Sequence, residues 1–139
     1  MFKPKEVCEI TNTTHSNLSY WRKLQLVKPE SKAERSGYST FYSFRDLLNI
    51  SLIASLNASG FNTSAIRNII DMIDKHSMED LQELIMVTDG IDYFKFFNKD
   101  RNISIERSSI FMIQIYKEIE TLELYIKQLG GKHANRNRH

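Results

Sequence analysis

The sequence predicts a mainly α-helical chain with a small β portion. Three observations carry this expectation. Apolar residues recur at helical spacing through much of residues 4–73, capping residues stand in front of several of those runs, and one later stretch turns β-prone on either side of an Asp-Gly pair.

The elements follow in chain order. Pro4 suits the first turn of a helix, where its missing N–H is not needed, and Val7 and Ile10 then share a face. Asn12 tolerates the left-handed conformation that stops a short helix. Thr13 and Thr14 are good N-caps for a second helix, roughly Thr14 to Lys23, with Leu18 and Trp21 three apart and Pro29 beyond its end. Two short helices joined by a tight turn form a helix-turn-helix signal. The polar, charged stretch Glu30–Gly37 and then Tyr38–Tyr42 read as a wing, a small hairpin with its tip around Lys32–Ser36. Ser43 and Asp46 make a capping box for a helix with Leu47, Ile50, Ile53 and Leu56, ending near Gly60. Asn62 or Thr63 caps the next, with Ile66, Ile69, Ile70 and Ile73 on one side, and Ser77 with Asp80 opens a short one. Leu84–Thr88 is β-prone, Asp89-Gly90 is a hairpin turn, and Ile91–Asn98 is the returning strand. Lys99–Asn102 is a second turn candidate, and residues 103–115 are open between strand and helix. A last helix runs roughly from Tyr116 to Leu129, with Gly130-Gly131 as its stop and a flexible basic tail after it.

The expected architecture is therefore a winged helix-turn-helix head (residues 1–75), then a β-hairpin segment and a C-terminal helix (76–130), then the tail (131–139). A chain of 139 residues has room for one ordinary domain or a small domain with an appendage. Its 41% hydrophobic and 26% charged content is that of a soluble globular protein. It has no apolar run of about 18 residues to span a membrane, and its first residues lack the apolar core of a signal peptide. The single Cys8 has no intramolecular disulfide partner, so a reducing, cytoplasmic setting is expected.

The net charge of +2 is unevenly spread. Residues 1–45 hold eight Lys/Arg against four Asp/Glu, whereas residues 71–100 hold three against eight. A basic front and an acidic middle fit a head that touches nucleic acid and a body that does not.

Five separated blocks resemble the MerR family in order and spacing, over about residues 2–74. They are Leu18-Ser19-Tyr20-Trp21-Arg22, Leu24-Gln25-Leu26-Val27-Lys28-Pro29, Gly37-Tyr38, Tyr42-Ser43-Phe44-Arg45-Asp46-Leu47 and the run from Ala58-Ser59-Gly60-Phe61 to Ile66. The resemblance implies a homodimer on double-stranded promoter DNA. It also implies RNA polymerase as a further partner at the promoter, through distortion of long-spacer promoters or through repression. Two features depart from the family pattern. Ser19 stands where the family has Arg before its aromatic pair. The wing reads Gly37-Tyr38-Ser39-Thr40, with one extra residue before Tyr42, where the family has Gly-Tyr-Arg. Either DNA binding is weaker for lack of these two arginines, or other cations, with Arg22, Lys23, Arg35 and Arg45 as the candidates, take their place. Met86–Phe97 resembles the β-rich segment with an Asp-Gly turn found in a less-studied branch of the family.

Within this frame His15, Ser16, Asn17 and Ser19, in the first turns of the second helix, are the candidate base contacts. Short polar side chains there reach base edges, and Asn17 suits adenine. Tyr20, Arg22, Lys23, Lys28, Lys32, Arg35, Tyr38 and Arg45 are the candidate contacts to the DNA backbone. Leu18 and Trp21 read as core. Met112, Ile115, Ile119, Leu122, Ile126 and Leu129 are spaced 3, 4, 3, 4 and 3 apart, which reads either as a coiled-coil dimer seam or as packing onto the chain's own β segment. Tyr93, Phe94, Phe96 and Phe97 read as core before they read as a ligand pocket.

The four histidines, His15, His76, His133 and His139, are scattered and Cys8 is alone, so no metal site and no cofactor are expected. With no glycine-rich phosphate loop and no nucleophile-base pattern, an enzyme is not expected either. Two alternatives stay beside the dimeric regulator. One is an architectural, excisionase-like DNA-binding factor on tandem sites. The other is a protein-interaction module with weak DNA binding.

Overall fold

The computed structural model describes residues 1–29 and 40–136. It is mainly helical with one small sheet: α1 (Pro4–Thr11), α2 (His15–Lys23), α3 (Phe44–Ala58), α4 (Thr63–Ile73), α5 (Met78–Leu81), β1 (Leu84–Thr88), β2 (Phe94–Asn98), β3 (Phe111–Ile113) and α6 (Ile115–Arg136). The chain divides into two compact units, residues 1–54 with 120–139, and residues 55–119. No helix among the described residues is long and apolar enough to cross a membrane. Residues 30–39 of the expected wing, with Lys32, Arg35 and Tyr38, lie outside the described residues, while Thr40–Tyr42 at its end are described.

In the first unit, Pro4 occupies the start of α1, and the Lys3 backbone N–H donates to the Glu6 carboxylate at 3.0 Å. Val7 and Ile10 are buried on the inner face. The helix stops where Asn12 turns left-handed (φ 53°, ψ 48°), and the Thr13 N–H reaches back to the Cys8 carbonyl at 3.1 Å. This is the five-residue closure that a left-handed residue allows at a helix end. Phe2 and Tyr42 exchange backbone hydrogen bonds of 2.7 and 2.8 Å as an antiparallel bridge. That bridge fastens the chain before α1 to the chain entering α3. The capping box of α3 is reciprocal. The Ser43 N–H donates to the Asp46 carboxylate at 2.8 Å, and the Asp46 N–H donates to the Ser43 hydroxyl at 3.1 Å.

In the second unit, Gly60 (φ 91°) closes α3, and the Asn62 side chain accepts the Ala65 N–H at 2.8 Å to open α4. Ile66, Ile69, Ile70 and Ile73 form the buried stripe of α4. Ser77 caps α5 by accepting the Asp80 N–H at 3.1 Å. The antiparallel sheet has the order β2-β1-β3, so β1 is central, with Thr88 opposite both Phe94 and Phe111. Its Met86, Val87 and Thr88 are fully buried.

Three elements differ from the sequence expectation. The hairpin turn is not two residues long. Residues 89–93 form the loop, because the Asp89 carboxylate gathers the N–H groups of Ile91, Asp92 and Tyr93 at 2.9, 3.1 and 2.9 Å. The returning strand therefore starts at Phe94, not Ile91. Residues 103–115 are neither one strand nor one helix: an irregular segment leads into the short β3, and α6 begins at Ile115. Finally, α6 continues through Gly130 and Gly131 to Arg136, so much of the stretch read as a tail is helix. A glycine inside a helix costs roughly 1 kcal/mol, which a long helix tolerates.

Candidate nucleic-acid interface

The second helix begins because Thr14, extended at φ −87° and ψ 154°, turns its hydroxyl onto the Asn17 N–H at 3.1 Å. Leu18 (3% exposed) and Trp21 (4%) form its inner face. Full burial of one such side chain is worth about 1.5–3 kcal/mol, so this pair anchors the helix. Rotation of 100° per residue then puts Ser16, Ser19, Tyr20 and Lys23 on the opposite face, with His15, Asn17 and Arg22 on its flanks. All seven are exposed. Of the four residues expected to read bases, Ser16 and Ser19 thus share the outer face of one capped helix, and His15 and Asn17 stand exposed on its two opposite flanks.

The basic residues Arg22 and Lys23 occupy the last turn of α2, where the helix dipole favours positive charge. Leu24 is still right-handed, but Gln25 has φ +60°. The Gln25 N–H donates to the Arg22 carbonyl at 3.0 Å and the Leu26 N–H to the Trp21 carbonyl at 2.9 Å. That pair of bonds closes the helix and turns Leu26 and Val27 inward to burial. Outside this turn lies an open hollow of about 450 Å³ lined by Ser19, Arg22, Lys23, Gln25, Val27, Lys28 and Pro29.

Arg22 has a second role. Burial raises the pKa of the Tyr42 hydroxyl, and the guanidinium of Arg22 beside it pulls in the other direction. The hydroxyl itself is buried without a hydrogen-bond partner among the described residues, so Arg22 acts on it only as a nearby charge. Arg45 is half-buried in the first turn of α3 and already engaged within the chain, unlike the exposed Lys23 and Lys28. Sequence reasoning placed Gln25 in one of the blocks that resemble the family, without giving it a role. No local signal marks it, because left-handed helix ends are normally glycine or asparagine.

The model of the MerR HTH family of regulatory proteins matches residues 2–73, half of the chain, and spans α1 to α4. The chain belongs to the MerR family. The matched head is a helix-turn-helix of that family of regulatory proteins. Among curated proteins it is similar to HTH-type transcriptional regulators of Mycobacterium bovis and Mycobacterium tuberculosis, themselves named as uncharacterized. Identity is 23% over 137 residues, covering 96% of this chain and 61% of each relative. The chain thus spans about three-fifths of the length of the relatives it matches.

Beyond the MerR head, the structure divides the stripe expected to form a dimer seam. Met112 is in β3, not in the helix, and is 47% exposed. Ile115, Ile119 and Leu122 are buried within the single chain, at 0%, 2% and 1% exposure. Little of their apolar surface is left exposed. Ile126 and Leu129 remain half-buried. Leu129 and the exposed Tyr125 line an open groove of about 320 Å³ in the first unit, with Glu9, Ile10, Asn12 and Gln128.

Proposed function

We propose that this chain binds double-stranded DNA sequence-specifically as a homodimer and regulates transcription at promoters, with α2 lying in the major groove. The observation that carries the reading is the composition of the exposed face of α2. Its exposed residues are the short polar or imidazole side chains of His15, Ser16, Asn17 and Ser19, with Tyr20 beside them, and its last turn is cationic. A helix of about 10–12 Å diameter fits a groove about 12 Å wide. His15, Ser16, Asn17 and Ser19 are assigned to base edges. Tyr20, Arg22, Lys23 and Lys28 are assigned to the flanking phosphates, with Lys32, Arg35, Tyr38 and Arg45 in support. Phosphate contacts set register and affinity, and base contacts set sequence.

Dimerisation is assigned to the distal half of α6, where Tyr125, Ile126 and Leu129 keep apolar surface. RNA polymerase at the promoter is the further partner. The test is selection of bound DNA from a random duplex library at near-physiological salt. Enrichment of an inverted repeat supports the dimeric regulator, because a two-fold protein reads a two-fold site. Salt-sensitive background without enrichment counts against sequence-specific binding.

One observation favours a second reading. Burial of Ile115, Ile119 and Leu122 shortens the available seam to its distal part. An architectural factor that binds tandem sites as single chains needs no such seam. Enrichment of a single or tandem motif in the same selection would support it.

A further inference from the structure

We infer that Gln25 is itself a DNA-contact residue, whose carboxamide donates a hydrogen bond to a backbone phosphate seated in the hollow at the end of α2. This inference rests on the DNA-binding reading proposed above. Gln25 sits at φ +60°, a conformation that side chains other than Asn and Asp rarely adopt. The two hydrogen bonds that close α2 here, Gln25 N–H to Arg22 and Leu26 N–H to Trp21, use backbone atoms only. Glycine would make both with no crowding at Cβ. The side chain is also not needed for the core, because Gln25 is exposed while Leu26 and Val27 are buried beside it. The backbone is thus strained around a side chain that neither the turn nor the core requires, and such strain concentrates where a residue touches a ligand.

The surroundings define the ligand. Gln25 lines the hollow with Arg22, Lys23 and Lys28, and among the described residues no acidic side chain lines it. Three cations around an open hollow favour an anion, and on a duplex that anion is a phosphate. Arginine and lysine supply the charge. The carboxamide N–H₂ supplies a directed donor between them, and the short Ser19 leaves room for it. Because the amide is neutral, its contribution releases no counterion and leaves the salt dependence of binding unchanged.

Strain and contact make opposite predictions for one substitution. Gln25→Gly relieves the strain, so the full-length variant should melt higher by roughly 2–6 °C. Lacking the carboxamide, it should bind the duplex selected from the library about three- to tenfold more weakly. The loss should be the same on a random duplex, and the slope of log affinity against log salt should not change. Gln25→Ala, which keeps the positive φ, should show the same loss of affinity without the gain in stability. A more stable Gln25→Gly protein that binds as tightly as wild type overturns the inference. A loss confined to the selected sequence overturns the phosphate assignment in favour of a base contact. If wild type itself binds no duplex, the DNA-binding reading fails first and takes this inference with it.

Discussion

The hydroxyl of Thr14 accepts the backbone N–H of Asn17 at 3.1 Å, at the start of α2. That bond settles where α2 starts, and so which turn presents His15, Ser16 and Asn17. It uses the Asn17 backbone and leaves the carboxamide on an exposed residue. Thr14→Ala should destabilise the protein by about 1 kcal/mol and fray this turn. DNA binding should weaken with it, while Thr14→Ser, which keeps the hydroxyl, should behave nearly as wild type. Thermal denaturation and fluorescence anisotropy on a labelled duplex, run on both variants, test this. Equal binding by Thr14→Ala and wild type would remove the first turn from the interface.

Asn17 and Lys23 stand on the same helix and should fail differently. Asn17→Ala should lose about 1–3 kcal/mol on the preferred site and little on random DNA, because a bidentate base contact is sequence-dependent. Lys23→Ala should weaken both alike and reduce the salt slope by about one. Competition titrations at several salt concentrations separate the two. An equal loss on both duplexes for Asn17→Ala would end its assignment as a base reader.

The two halves of α6 should respond oppositely to charge. Ile119 is 2% exposed, so Ile119→Glu buries an unpaired carboxylate and should destabilise the fold by more than about 3 kcal/mol. Tyr125 is 46% exposed and Leu129 half-buried. The double change Tyr125→Glu with Leu129→Glu should leave helix content intact and shift a micromolar dimer to monomer. Analytical ultracentrifugation with circular dichroism reads both quantities. A wild type that is monomeric at tens of micromolar would move the reading to the architectural factor.

Asp89 makes the second unit acid-sensitive. Its carboxylate accepts N–H groups from Ile91 and Tyr93 foremost, then Asp92, which holds its pKa at about 2. Arg107 also reaches it at 3.3 Å and lies over the Tyr93 ring at 4.6 Å. A carboxylate with a lowered folded pKa stabilises the fold above its unfolded value near 3.8, and that contribution fades as pH falls towards 2. Denaturant midpoints should therefore drop between pH 4 and pH 2. Asp89→Ala should have a lower midpoint than wild type at pH 7 and a flatter acid profile. Asp89→Asn, which keeps one acceptor oxygen, should fall between them. Parallel acid profiles for all three proteins would contradict this account of the loop.

Gly90 should be intolerant of any side chain. It sits at φ +79°, and a Cβ there would stand 3.2 Å from the Cβ of Ala65 on α4. Gly90→Ala should cost about 1–3 kcal/mol, measurable as a lower melting temperature. A silent substitution would mean that the hairpin loop packs less closely on α4.

What the chain spelled out was local. Asn12 as a left-handed stop, the caps Ser43 and Ser77, and the stripe of Ile66, Ile69, Ile70 and Ile73 were legible, and the caps Thr14 and Asn62 were legible to within a neighbouring threonine. Caps and periodicity act within one or two turns, so the residues that make them are close in sequence. The exposed polar face of α2 followed from the same periodicity. Partners distant in sequence were decided only by the tertiary structure. An apolar stripe on α6 has the same spacing whether it faces its own chain or a second copy, so burial of Ile115, Ile119 and Leu122 could not be read from it. The short β3 exists because β1 offers it an edge, since three residues hold no strand alone. Gln25 carries no mark of its left-handed backbone in the sequence. Leu26 and Val27, buried beyond it, pull the chain round, and the folded core holds the strain that local propensity would refuse.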